Sequence, residues 1–248
     1  MSDFQERNKR LYGHSFYQSR KKATYYSAKL ISTFLKELGI TPRAVIDIGC
    51  GVGAWLEAID QVFPQCSLLG IDGEWVPKQF ISPNIDFHEM ELSVTGVEFF
   101  PDSEFDLALC LEVLEHLSDD RVDQILDFLG KNVSYAVVSV APPGQGGVGH
   151  VNEMPLSELK ERMGCRGFRC IDIIRPKIWN DQNVPYWYRQ NCVLFVKQGL
   201  SISHSHSDWG GFDLIHPETL NEKVVPSLTY AKKHLVGWLR MKAGLLGR

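Results

Sequence analysis

Ala44-Val45-Ile46-Asp47-Ile48-Gly49-Cys50-Gly51-Val52-Gly53 decides the reading of this chain. The apolar run 44–48 has the length of a buried strand. Three glycines at alternate positions then lead into Ala54-Trp55-Leu56-Glu57-Ala58-Ile59, which has helical character. A strand, a glycine turn and a helix N-terminus let a ligand lie against bare backbone. Glycine allows positive φ there and removes the Cβ atoms that would block close approach. The same alternation continues outward. Strands are predicted near 67–71, 85–89, 105–110, 135–140, 169–174 and 191–197, and helices near 25–38, 54–63, 119–131 and 155–163. That order implies an α/β protein with a doubly wound, mainly parallel seven-stranded sheet, an N-terminal helical segment and a C-terminal helical tail. Ligands of such sheets bind beyond the carboxyl ends of the strands.

Two ligand classes use this kind of turn. Gly49-Cys50-Gly51-Val52-Gly53-Ala54 fits the dinucleotide fingerprint, and Asp72 follows the second strand at the spacing of a ribose-binding acid. Asp47 discriminates between them. A carboxylate inside the first strand is unwelcome beside a pyrophosphate, whereas the ammonium and sulfonium of S-adenosylmethionine both favour it. The second discriminator is Leu111-Glu112-Val113-Leu114-Glu115-His116-Leu117, which follows the fourth strand.

Asp47-Ile48-Gly49-Cys50-Gly51-Val52-Gly53, Asp72 and Leu111-Glu112-Val113-Leu114-Glu115-His116 together resemble a class I S-adenosylmethionine-dependent methyltransferase with a Rossmann-like fold. The resemblance covers roughly residues 25–197. It implies that Asp47, Gly49, Gly51 and Gly53 line the methionine end of the cofactor, and that Trp55, Gly73 and Leu111 also contact the cofactor. Asp72 would accept hydrogen bonds from the ribose hydroxyls, and Glu91-Leu92 would sit where the family usually has an acid contacting the adenine amine, here Glu rather than the commoner Asp. A narrower resemblance rests on Gly51-Val52-Gly53-Ala54-Trp55-Leu56, Gly73-Glu74-Trp75-Val76-Pro77, Pro143-Gly144-Gln145-Gly146-Gly147, His150-Val151-Asn152-Glu153 and Trp187-Tyr188-Arg189-Gln190-Asn191. These are similar to bacterial methyltransferases of surface-polysaccharide gene clusters. The chain departs from that group at Met154-Pro155-Leu156, where a Trp-x-x-Tyr-Trp segment is expected.

Methyl transfer is an in-line displacement, so the protein's task is to align the reacting atoms and expel water. A hydroxyl acceptor gains from a base that removes its proton. His150, after the fifth strand and the flexible 142–147 segment, is the first candidate, because histidine titrates near physiological pH. His116 is the alternative, with a helix-packing role as its competing reading. Glu112 is the acid nearer the strand end; it and Glu115 are either acids near the sulfonium or helix-start charges. Gln145, Asn152, Glu153, Trp187, Tyr188 and Gln190 are candidates for the acceptor. Their competing roles are loop hydrogen bonding and a packed insertion before the last strand.

Composition bounds the rest. The 248 residues carry a net charge of −4, which does not suggest a general grip on nucleic-acid phosphates. Six scattered cysteines without a C-x-x-C pair suit a reducing cytoplasm. Neither a signal-peptide core nor a membrane-spanning run is apparent. No metal site is expected: His204 and His206 stand in a serine-rich connector without a completing Glu or Cys. Residues 1–198 are read as the cofactor-binding domain and 199–248 as a linker with a basic, amphipathic tail. That tail would pack on the protein itself, on a subunit or on an anionic membrane face. The expected activity is O-methylation of a sugar-containing acceptor. A quinone-precursor-like small-molecule O-methyltransferase and a non-catalytic cofactor-binding module are the alternatives.

Overall fold

The computed structural model describes residues 14–93, 103–203 and 213–219. The chain divides into two units, Met1–Leu214 and Ile215–Arg248. The tail expected to be amphipathic, residues 228–248, and the histidines of the connector lie outside the described residues.

In chain order the first unit contains α1 (His14–Glu37), β1 (Ala44–Ile48), α2 (Ala54–Val62), β2 (Ser67–Asp72), β3 (Asp86–Glu89), β4 (Phe105–Cys110), α3 (Asp119–Asn132), β5 (Val133–Val138), α4 (Leu156–Gly164), β6 (Phe168–Ile171), α5 (Ile174–Ile178), α6 (Tyr186–Asn191) and β7 (Val193–Lys197). The seven strands form one sheet in the order β3-β2-β1-β4-β5-β7-β6. The central strands are apolar runs because both of their faces are covered. Val45, Leu107, Leu109 and Val137 pack on one face with Ala28, Ile31 and Leu35 of α1 and Leu56 and Ile59 of α2. Ile46, Ile48, Ala108 and Cys110 pack on the other with Val122, Ile125 and Leu129 of α3 and Leu159 and Met163 of α4. Among the described residues no helix is long and apolar enough to cross a membrane.

Two features differ from the expected pattern. α1 begins at His14 rather than near residue 25, extended by residues such as Gln18, Arg20, Lys21 and Lys22, several of them good helix formers. More consequentially, β7 is antiparallel to both of its neighbours, β5 and β6. The 191–197 strand starts only at Val193, because Tyr186–Asn191 is helical, and the strand expected at 169–174 gives way to α5 at Ile174. The sheet thus reverses at β7. Its N-terminal end lies beside the carboxyl end of β5, with Val138 opposite Val193. Residues just before β7 are thereby delivered to the edge where β1, β4 and β5 end.

The α5–α6 excursion is anchored by an ion pair with no solvent access. Arg175 Nε and Nη2 donate to Asp172 at 2.9 and 2.5 Å, and Nη1 donates to the Gln190 carbonyl at 3.3 Å. Removing one member strands a buried charge. Asp172→Ala should therefore cost about 3–5 kcal/mol of stability in urea unfolding. A cost below about 1 kcal/mol would show that the excursion is held by apolar packing alone.

Candidate active site

β1 ends in a turn whose glycines all lie in the left-handed region, with φ of 79° at Gly49, 54° at Gly51 and 76° at Gly53. Side chains rarely adopt this conformation. Gly49 N and Cys50 N donate to the Ile71 carbonyl at 2.8 and 3.1 Å, tying the turn to β2. A Cβ at Gly49 would collide with the Val113 side chain, so the turn presses against the loop that follows β4.

Asp72 closes β2 and organises this turn. Its Oδ2 accepts from Gly51 N and its Oδ1 from Gly73 N, each at 2.7 Å. Burial nevertheless pushes its carboxyl up to about 6, with Glu91 adding to the rise against the two backbone donors. Asp47 is buried within β1. Burial, and then the Asp72 charge, raise it well above the carboxylate range. Among the described residues its Oδ2 has no hydrogen-bond partner. Two buried acids beside bare backbone suit a ligand that brings a cationic group and hydroxyl donors. The residues present therefore fit S-adenosylmethionine.

The other residues expected near the cofactor spread around this centre. Leu111 is buried at the exit of β4. Glu91 lies beyond β3 and accepts from Ser93 N and Oγ at 3.1 and 2.7 Å. Leu92 is buried, and its carbonyl accepts two bonds from Arg121 at 3.0 and 2.9 Å. Trp55 is buried in α2, its ring edge-on to Tyr188 at 5.5 Å and its Nε1 donating to the Tyr188 hydroxyl at 3.4 Å.

A second polar cluster sits beyond β4 and β5. Glu112 has φ of 57°, the one described non-glycine residue with positive φ. Such backbone persists only when its surroundings hold it. Here Glu112 N donates to Ser139 Oγ at 2.8 Å, and that hydroxyl donates back to Glu112 Oε1 at 2.8 Å. Asn191 Nδ2 also reaches Oε1, at 3.2 Å, and Gln145 Oε1, at 3.0 Å, while Gln190 Nε2 donates to Gln145 Oε1 at 2.9 Å. Burial raises the Glu112 carboxyl, and the Ser139 and Asn191 donors oppose the rise.

Glu115 is fully buried. Burial, and next the Glu112 charge, hold its carboxyl well above the usual range. The Glu115 carbonyl accepts from Val151 N and Asn152 N at 2.8 and 3.0 Å, which docks the 150–153 loop onto the turn containing Leu114–His116. Docking brings the His150 ring perpendicular to that of His116, with centroids 4.8 Å apart. Burial, and then His150, push His116 down to about 4, so it is neutral at pH 7. His150 Nδ1 meets Glu153 Oε1 at 3.1 Å. The Glu153 carboxylate also accepts from Gly144 N and Gly146 N at 2.7 and 2.5 Å, so the glycine-rich segment wraps the histidine's partner.

The structure thus brings together Glu112, His116, His150, Gln145, Asn152, Glu153 and Gln190. It places Trp55 with Tyr188 in a separate aromatic contact. Trp187 is half-buried, with its ring edge-on to Tyr186 at 5.2 Å. Ser139 and Asn191 were missed as site residues. Asn191 stood within a quoted motif and Ser139 at the end of a strand, the only signals that either gave.

The profile of a methyltransferase-domain family matches residues 19–173, more than half of the chain. The chain belongs to this methyltransferase family. No curated protein matches its sequence significantly. Solved structures similar to this methyltransferase include an O-methyltransferase family protein from Burkholderia thailandensis, at 13% identity and a TM-score of 0.57. That alignment covers 77% of this chain and 62% of the other, so the chain spans less than two thirds of that protein. The plantazolicin methyltransferase BpumL, solved with a desmethyl plantazolicin analogue and S-adenosylhomocysteine, is 17% identical, with a TM-score of 0.55 and coverage of 78% and 91%. The magnesium protoporphyrin IX methyltransferase ChlM from Synechocystis, solved with S-adenosylhomocysteine, is 16% identical, with a TM-score of 0.53 and coverage of 79% and 95%. At these identities the likeness is one of fold.

Proposed function

We propose that this methyltransferase uses S-adenosylmethionine to methylate a hydroxyl of a sugar-containing acceptor, with His150 as the base. When bound, the cofactor supplies a methyl group on a sulfonium sulfur. The protein supplies two carboxylates for the cofactor's polar ends: Asp47 for the ammonium and Asp72 for the ribose hydroxyls. Gly49, Gly51 and Gly53 leave the backbone bare where the two would meet. Cofactor-bound BpumL and ChlM share the fold and lend support to this choice.

The observation that carries the acceptor side is the placement of His150 at the carboxyl edge of β4 and β5, with Glu153 on its Nδ1. A carboxylate on one ring nitrogen orients the imidazole, which leaves Nε2 to face a hydroxyl proton. Asn152, whose Nδ2 is buried without a partner among the described residues, suits an acceptor hydroxyl, with the Gln145 and Gln190 amides, bonded to each other at 2.9 Å, beside the same cluster. Six free cysteines agree with a cytoplasmic setting. Methyl transfer to a panel of nucleotide-activated sugars and dihydroxybenzoates tests the acceptor class. Methylated sugar supports the reading, whereas methylation of the phenols alone replaces it with the quinone-precursor type.

The assignment of Asp72 predicts a pH dependence. A ribose diol donates to the ionised carboxylate, and the free protein holds this group near 6. Affinity for S-adenosylhomocysteine should be full above that pH and fall up to about tenfold per unit below it, as binding first requires loss of one proton. Calorimetry from pH 8 to pH 5 measures the slope. A flat profile contradicts the assignment.

A further inference from the structure

Beside the acceptor residues lies a donor set that proton transfer alone does not require. Glu115, His116 and His150 each present one metal-ligating atom, and these atoms lie within 4.8 Å of one another. In a tetrahedral site with bonds of about 2.0–2.2 Å, ligand atoms stand roughly 3.3–3.6 Å apart, so modest side-chain rotations close the set. The second observation concerns Glu115 alone. Its side chain has no solvent access and forms no salt bridge among the described residues; the side chain it faces is the carboxyl of a second acid, Glu112. Burying such a group is costly unless something positive meets it. The third is the contact between His150 Nδ1 and Glu153, the kind of outer carboxylate that fixes a ligating imidazole.

We propose that Glu115, His116 and His150 bind a divalent first-row transition cation, with Glu112 alongside. Two imidazoles and one carboxylate match the open three-ligand sites of zinc and its neighbours, while magnesium and calcium prefer oxygen donors. The three residues come from two loops that Val151 N and Asn152 N pin together on the Glu115 carbonyl, so the set is held by backbone. A position left open on the ion would receive the acceptor's hydroxyl oxygen and ease release of its proton to water. The methyl group then joins that oxygen, and the sulfur departs with the carbon–sulfur bonding pair. With the ion bound, His150 Nε2 is a ligand and the acceptor's proton leaves to water; in the ion-free protein His150 is the base proposed above. The ion's part in catalysis rests on the O-methylation reading, but its binding does not.

The test uses the full chain, stripped with a chelator and then titrated with Zn2+ and separately with Mg2+, without cofactor. About one Zn2+ per chain should bind, and Mg2+ at least roughly tenfold more weakly. E115Q, H116A and H150A should each weaken Zn2+ binding by roughly tenfold or more while S-adenosylhomocysteine binds as in the native protein, which certifies the fold. The double variant H204A/H206A should keep the ion. Absence of stoichiometric Zn2+, or Zn2+ that survives the first three variants, overturns the site. So does Zn2+ that vanishes with H204A/H206A. Zn2+ bound as expected by a protein that does not bind S-adenosylhomocysteine would instead overturn the cofactor reading and leave the ion site standing.

Discussion

Asp72→Ala should weaken S-adenosylhomocysteine binding by roughly a hundred- to a thousandfold, because one carboxylate does two jobs at the turn. In the free protein it accepts from Gly51 N and Gly73 N at 2.7 Å each. On cofactor binding it would also receive the ribose hydroxyls. Truncation removes those ribose bonds and leaves two backbone donors to water or to nothing, at about 1–3 kcal/mol for each donor left buried. Stability moves differently. The Asp72 pKa is raised on folding, so its contribution to stability is full below about 4 and is lost as the pH rises through about 6. At pH 8 the ionised group is therefore a burden to the free protein. Asp72→Asn should bind cofactor poorly at that pH yet unfold at no lower urea concentration than the native chain. Binding within about fivefold of native by Asp72→Ala would remove the residue from the cofactor site.

His150→Ala should lower turnover by roughly a hundred- to ten-thousandfold, the range for loss of a positioned acid–base group, and leave S-adenosylhomocysteine affinity within about twofold. The separation is expected from position. His150 packs against His116 and Glu153, whereas Asp72 holds the glycine turn through Gly51 N. A structural role for the ring would show otherwise, as parallel losses in cofactor affinity and melting temperature. Loss of turnover alone does not distinguish a proton acceptor from an ion ligand. The Zn2+ titration of the same variant does.

The glycine turn and its acid were legible because their geometry is local. A glycine turn after a strand needs three residues at fixed spacing, and Asp72 ends the very next strand; both survive as a string of letters. The polar cluster beyond β4 and β5 depends on chain reversal. Asn191 reaches Glu112 only because β7 runs antiparallel between β5 and β6, and nothing in Val193-Leu194-Phe195-Val196 reveals its direction. The short helix α6 hid in the same way: six residues behind Pro185 are too few to show a period. Ser139 is one polar residue at a strand end, and its double contact with Glu112 depends on that residue's positive φ, which Leu111-Glu112-Val113 does not announce. By sequence, Glu115 reads as a helix-start charge or an acid near the sulfonium. The long helix α3 starts later, at Asp119, and Glu115 instead occupies a separate turn with its carboxylate fully buried.

Methyl transfer to a sugar hydroxyl at the edge of β4 and β5 is the reaction we propose. Its most direct test is transfer of labelled methyl from S-adenosylmethionine into fractionated extract of the source organism, run in parallel with native protein and His150→Ala. The account predicts label in material sensitive to glycan cleavage but resistant to protease and nuclease, and none above background with the variant. Label confined to protein, nucleic acid or small lipophilic material, or equal labelling by the two proteins, would contradict it.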